Sequence, residues 1–127
     1  MHPYRNLLVW RKAHELTVRV YRVASQFDKQ NWAAGGQLRR AAHSIPANIA
    51  EGSGRTSRLQ FAHHLQIAIA SARELDYFLQ LALDIGELSL RDHATLEART
   101  DEVTRMLVVL RRTVKARATL PGPPGEK

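Results

Sequence analysis

The sequence predicts an all-α fold, an antiparallel up-down-up-down four-helix bundle, on three observations. Four runs place apolar residues at alternating steps of three and four, the spacing of a helix with a buried stripe. Short connections marked by Gly or Ser separate the runs, which favours antiparallel neighbours. No segment shows the two-residue alternation of a half-buried strand. The 127 residues are expected to form one domain over 1–118, followed by a disordered Pro/Gly-rich tail over 119–127.

The first helix is expected over about 5–27, where Val9, Ala13, Leu16, Val20, Val23 and Phe27 form a seam. Trp10, Thr17, Tyr21 and Ala24 make a flanking row. Gly35-Gly36 are expected to interrupt the chain before a second helix over 36–52, whose stripe is Leu38, Ala42, Ile45 and Ile49. Gly52 is expected to end that helix in a left-handed conformation. Ser57-Arg58-Leu59-Gln60 fits a capping box that opens a third helix over 57–86, of which the stretch from about Arg58 to Ile85 is ~42 Å long. This helix carries two stripes: Phe61, Leu65, Ala68, Ala72, Leu75, Leu79 and Ala82, and beside it Ile67, Ser71, Glu74, Phe78, Leu81 and Ile85. A monomeric bundle needs less apolar surface than that, so the second stripe points to a partner subunit. Gly86 closes the third helix and Ser89 caps a fourth over 90–117, with Leu96, Val103, Leu107, Leu110 and Val114 as its stripe.

Composition excludes several classes of function. There is no cysteine, so disulfides, thiolate metal sites and thiol nucleophiles are ruled out. No apolar run approaches the ~20 residues of a membrane span, and Met1-His2-Pro3-Tyr4-Arg5 does not read as a signal peptide. A cytoplasmic protein without membrane association is expected. The formal charge is +7, and 15 of the 19 basic residues are arginine, which pairs bidentately with phosphate and stacks on bases.

The charge is unevenly spread. Residues 1–64 hold ten basic and three acidic side chains, whereas 65–127 hold nine of each. In an up-down bundle the start of the first helix, the second connection and the end of the fourth helix share a pole. That pole would collect Arg5, Arg11, Lys12, Arg55, Arg58, Arg111, Arg112, Lys115 and Arg117, the candidate nucleic-acid-binding residues. Asp84, Glu87, Asp92 and Glu97 fall at the other pole, so a bipolar bundle is expected. Basic residues at the end of the fourth helix also complement its macrodipole, but Arg5, Arg11, Lys12, Arg55 and Arg58 flank or open helices, where positive charge is unfavourable.

The segment 37–55 carries the most specific signal. Its second half holds Pro46, which removes a helical hydrogen bond and costs about 3 kcal/mol inside a helix, together with polar Asn48 and Glu51. Asn48 is expected to satisfy backbone groups that the proline exposes, and Glu51 sits four residues before Arg55, a favourable helical pair. The residues Gln37, Arg39, Arg40, Ser44, Pro46, Asn48, Glu51 and Gly52 fit the pattern Q-x-R-R-A-A-x-S-I-P-x-N-I-A-E-G-x-G-R. That pattern resembles the signature of small bacterial proteins encoded in intervening sequences of 23S rRNA genes. Leu8-Val9-Trp10, Ala13 and Leu16 resemble the opening helix of that family, and Phe61, Leu65, Ile67-Ala68, Ser71 and Glu74-Leu75 its third. The first connection, Phe27-Asp28 followed by Asn31-Trp32-Ala33-Ala34-Gly35-Gly36, departs from the family's usual Phe-Pro and later Glu-Gly-Leu. The resemblance implies a homopentameric helical bundle and no established activity. A more distant likeness is to accessory bundles of diversity-generating reverse transcriptases, in which assembly and nucleic-acid binding occur together.

Catalytic readings are weak. The adjacent His63 and His64 point to different helix faces, and no His or carboxylate at i+4 completes a metal pair. Arg58 and His63 match the spacing of an all-helical ribonuclease motif, but that motif is short and frequent by chance. Ser44 beside His43 is no triad, and no glycine-rich phosphate loop is present. For Arg39 and Arg40 a solvated face or a subunit salt bridge is favoured over nucleic-acid contact. The expectation is a non-enzymatic homo-oligomer without metal or cofactor, binding RNA or DNA non-specifically through its arginine-rich pole. The alternative is an oligomeric scaffold or protein-partner adaptor with no nucleic-acid role.

Overall fold

The computed structural model describes residues 3–119. The tail expected over 119–127 lies, apart from Thr119, outside them. A 3-10 turn over Pro3–Asn6 leads into α1 (Leu8–Ala24), and a second over Lys29–Asn31 leads into α2 (Trp32–Ser53). Next come α3 (Arg58–Asp84) and α4 (Leu90–Ala118), and the described residues contain no strand. Each helix packs on its neighbours in sequence and α1 closes the ring against α4, while the backbones of the diagonal pairs, α1 with α3 and α2 with α4, stay apart. None of the described helices is long and apolar enough to cross a membrane.

A hydrogen bond between connections or helix ends lies at each pole of the antiparallel bundle. At one pole Asp28 N–H donates to Glu87 Oε2 at 2.6 Å, tying the α1–α2 connection to the α3–α4 connection. At the other, Arg58 Nη1 donates to Arg117 O at 3.3 Å, tying the start of α3 to the end of α4. The expected stripes form the core between these poles. Leu16, Leu38, Ile45, Ile49, Leu65, Leu75, Leu79 and Leu107 are its largest fully buried side chains. Ala62, Ala68, Ala72 and Ala82 are buried along α3 and allow its neighbours to approach closely. The second stripe of α3 behaves differently: Ile67, Ser71, Phe78 and Leu81 are half-buried, while Glu74 and Ile85 are exposed.

The glycines at the two ends of α2 do not have the expected roles. Gly35 and Gly36 do not punctuate the chain; they are buried inside α2, which starts at Trp32. A β-carbon at Gly36 would meet only the ends of Arg39 and Arg40, at 3.4 Å or more. At Gly36 the helix therefore loses only propensity, whereas a β-carbon at Gly35 would touch Phe27 Cδ2 at 3.4 Å and Ala24 O at 3.6 Å. Gly52 is helical, not a left-handed terminator, and α2 runs on to Ser53. Its role is steric, because a β-carbon there would lie 2.6 Å from His64 Cβ and 2.9 Å from Phe61 Cδ1. Only a residue without a side chain lets α2 and α3 come this close. Gly86, with φ at +84°, is the terminator expected for α3.

The ends of α3 and α4 follow local chemistry. Ser57 Oγ accepts from Gln60 N–H at 3.3 Å, and Ser89 Oγ accepts from Asp92 N–H at 3.0 Å. At the end of α1, hydrogen bonds from Gln26 N–H to Val23 O and from Phe27 N–H to Ala24 O tighten the chain into a turn, so the helix stops at Ala24 and not at Phe27.

Two glycine substitutions should separate these roles in thermal or denaturant unfolding. Gly36→Ala is expected to be neutral or to stabilise by up to about 1 kcal/mol through helix propensity. Gly52→Ala is expected to destabilise by about 1–3 kcal/mol, because α3 must shift away.

Candidate functional site

Pro46 is buried, and α2 continues through it without interruption. A proline at 46 deprives the Ala42 carbonyl of its helical donor. That carbonyl accepts instead from Thr17 Oγ1 of α1 at 3.1 Å, a hydroxyl whose single proton is shared with Ala13 O at 2.8 Å. Thr17 is itself buried, so the bond is shielded from water. The expectation that Asn48 would repair the proline break is thus corrected: the donor to the Ala42 carbonyl comes from the neighbouring helix α1.

Asn48 serves the opposite face of α2. Its Nδ2 donates to Ser44 O at 2.8 Å and to Ser44 Oγ at 3.1 Å, and its Oδ1 faces His64 Nδ1 at 3.2 Å. Ser44 Oγ in turn bonds Ser71 Oγ at 2.8 Å. Because the Asn48 amide nitrogen donates to Ser44, its oxygen is the acceptor that faces His64 Nδ1. The chain His64–Asn48–Ser44–Ser71 joins α2 to α3 beside the close approach at Gly52. Arg55, Leu59, Gln60, His63 and His64 line a shallow pocket at the end of this network. Glu51 Oε1 accepts from Arg55 Nη2 at 2.7 Å, the helical pair expected from the spacing. Gln37 and Arg40 are exposed, Arg39 is half-buried, and neither arginine has an ion pair among the described residues.

The nine pole residues are placed unequally. The Arg58–Arg117 bond brings the start of α3 and the end of α4 together. Arg11, Arg112, Lys115 and Arg117 are exposed and have no acidic partner among the described residues. Arg5 is exposed and lies over the Tyr4 ring, 5.7 Å from its centroid. Three others are compromised. Lys12 Nζ pairs with Glu102 Oε1 at 3.2 Å, Arg55 is held by Glu51, and Arg111 is half-buried with its Nε enclosed and unbonded. The opposite pole is less acidic than expected, because Arg19 and Arg22 of α1 line a pocket with Asp92. Helix connectivity carries the basic end of α1 to the acidic end of the α3–α4 hairpin. Among the described residues, no three His, Asp or Glu side chains are grouped to hold a metal ion.

Sequence reasoning missed three contributors: Thr17, His64 as a partner of Asn48, and Ser71. Ser71 left a trace, as a polar residue interrupting an apolar stripe. Thr17 left a similar trace, as a polar member of the row that flanks the first stripe, but in each case the partner lies on another helix.

A family model described as 23S rRNA-intervening sequence protein matches residues 5–109. A solved structure is also similar, that of a protein with unknown function from the S23 ribosomal protein family of Bacteroides thetaiotaomicron. It aligns with a TM-score of 0.79 at 24% identity, covering 83% of this chain and 99% of that one. No match was found among curated proteins.

The carbonyl repair can be checked by a double-mutant cycle read in denaturant unfolding. Thr17→Val alone should cost about 1–3 kcal/mol by leaving the Ala42 carbonyl buried and unbonded. In a Pro46→Ala background that penalty should shrink, because the backbone amide restored at position 46 bonds the same carbonyl.

Proposed function

The chain belongs to the 23S rRNA-intervening sequence protein family, and on that footing we propose that it is a non-enzymatic, homo-oligomeric helical bundle that binds RNA or DNA through its phosphates. The observation that carries this reading is the Arg58–Arg117 bond, which joins the start of α3 to the end of α4 at the basic pole. Exposed Arg11, Arg112, Lys115 and Arg117 supply the phosphate donors there, with no acidic partner among the described residues to compete for them. Lys12 and Arg55 contribute less, since Glu102 and Glu51 already neutralise them. Such contacts carry no base information, so binding is independent of sequence. Copies arranged with their poles aligned multiply the contacts and raise avidity.

The half-buried second stripe of α3 supports the homo-oligomer. Ile67, Phe78 and Leu81 keep part of their surface open to solvent, and Tyr77 beside them is 60% exposed. The same stripe also favours the rival reading, a scaffold or protein adaptor with no nucleic-acid role.

A fluorescence anisotropy titration against structured RNA and duplex DNA separates the two. Binding should weaken linearly in log K with log salt, at a slope of about −0.9 per phosphate contacted on duplex DNA. Arg11→Glu combined with Arg112→Glu should remove most of it. Weak binding that ignores both salt and that double substitution would leave the scaffold. Sedimentation equilibrium tests assembly: a 14.3 kDa monomer at micromolar concentration would end the argument from the exposed stripe.

A further inference from the structure

Arg39 and Arg40 are motif residues to which neither the packing of α2 nor the basic pole gives a task. Trp32, Gly36, Arg39, Arg40 and His43 follow one another at steps of three or four, so they share one face of α2. Both arginine side chains fold back over Gly36. The three atoms nearest to where a β-carbon of residue 36 would stand are Arg40 Nη1 at 3.4 Å, Arg40 Nη2 at 3.6 Å and Arg39 Nη2 at 3.7 Å. Two guanidinium groups are therefore at most about 7 Å apart above a bare stretch of backbone. Neither has a hydrogen bond or an ion pair among the described residues. Like charges held this close favour an anion placed between them. One turn earlier Trp32 is 66% exposed. One turn later His43 Nδ1 lies 2.8 Å from the Tyr21 hydroxyl and is taken up by it.

The donors decide the ligand. A carboxylate offers two oxygens and a single charge, which one guanidinium fork satisfies. A terminal phosphate carries a charge of about −1.5 to −2 and three acceptor oxygens, enough for two forks. N–H···O contacts of about 2.8 Å on either side let one such group span both arginines. A phosphodiester within a strand, with one charge and two free oxygens, uses the pair less fully. Trp32 stands about 6 Å from Gly36 along the helix axis, the scale on which a nucleotide's base stands away from its phosphate. We infer that this face of α2 binds the terminal phosphate of a nucleotide, free or at a strand end. Arg39 and Arg40 grip the phosphate and the Trp32 indole stacks on the base. The site lies towards the start of α2, at the opposite end of the bundle from the Arg58–Arg117 bond. It does not depend on the binding proposed for the basic pole.

Calorimetric titration of the full chain with adenosine monophosphate, adenosine and inorganic phosphate tests the site. The nucleotide should bind saturably at about millimolar concentration or below, inorganic phosphate more weakly, and adenosine not at all. Arg39→Gln combined with Arg40→Gln should weaken the nucleotide about tenfold or more. Arg40→Gln alone, at the exposed position, should act in the same direction, and thermal melts establish that the variants fold. Trp32→Ala should weaken the nucleotide and leave inorganic phosphate unchanged, a split that a merely structural role would not produce. A short single strand ending in a phosphate, compared with the same strand ending in a hydroxyl, separates the two sources. Tighter binding of the phosphate-ended strand assigns the site to strand ends, and equal binding of the two strands assigns it to free nucleotides. This comparison is made in the Arg11→Glu, Arg112→Glu background, so that the basic pole contributes nothing to it. The inference is overturned if nucleotide and nucleoside bind alike, or if the paired arginine substitution leaves the affinity unchanged. It is equally overturned if that substitution lowers the mass of the protein in sedimentation, which would give the two guanidinium groups to carboxylates of a second copy.

Discussion

The buried proline of α2 is the constraint on which the packing of this bundle depends. Pro46 leaves the Ala42 carbonyl without a helical donor in a place water does not reach, and an orphaned buried carbonyl costs about as much as a hydrogen bond is worth. Thr17 supplies the missing donor from α1, 25 residues away in sequence. The bond is useful only at one axial register of α1 against α2, because a shift by one turn would carry the hydroxyl past its acceptor. A defect in one helix thereby becomes a locating pin between two.

The opposite face of α2 is located by different means. Gly52 removes the side chain that would hold α3 away, and the Ser44–Ser71 and Asn48–His64 bonds set the two helices at a fixed register. These polar bonds sit at the margin of the core, partly screened from water, where each partner is satisfied and the desolvation cost is moderate. Helix α2 thus reads differently on its three faces. The Ala42 carbonyl meets α1, Ile45 and Ile49 fill the centre, and Ser44 and Asn48 meet α3. The density of specific residues in 37–55 follows from that triple duty, which accounts for most of the motif by packing alone. Gln37, Arg40, Glu51 and Arg55 are charged or polar members left facing outwards.

Charge works against a different background. The chain holds more positive charge than its helix ends require, yet several of its acids are spent close to cations: Glu51 on Arg55, Asp101 on Arg105, Glu102 on Lys12. Exposed ion pairs of this kind add little stability. Their larger effect is to subtract particular cations from the surface available to a polyanion. Towards the start of α1 and the end of α4, Arg11, Arg112, Lys115 and Arg117 remain exposed and without an acidic partner among the described residues.

How much of this is legible before folding differs by element. Helix type, number and core stripes can be read from spacing, because a period near 3.6 residues leaves one face apolar whatever the helix packs against. The serine caps and the Gly86 terminator are readable for the same reason, since each acts within a few residues of itself. The roles of Gly35, Gly36 and Gly52 are not, because local propensity cannot tell a helix break from a close helix contact. The partners of Pro46 and Asn48 are beyond reach, as they lie on other helices. The expected pole is readable as a list of residues, but not as a count of free charges, which depends on which carboxylates come within reach. By itself the sequence determined the helices, their order and the family. Only the tertiary structure decided what each polar side chain touches, because hydrogen bonds and ion pairs act over a few ångströms between segments that the chain alone does not bring together.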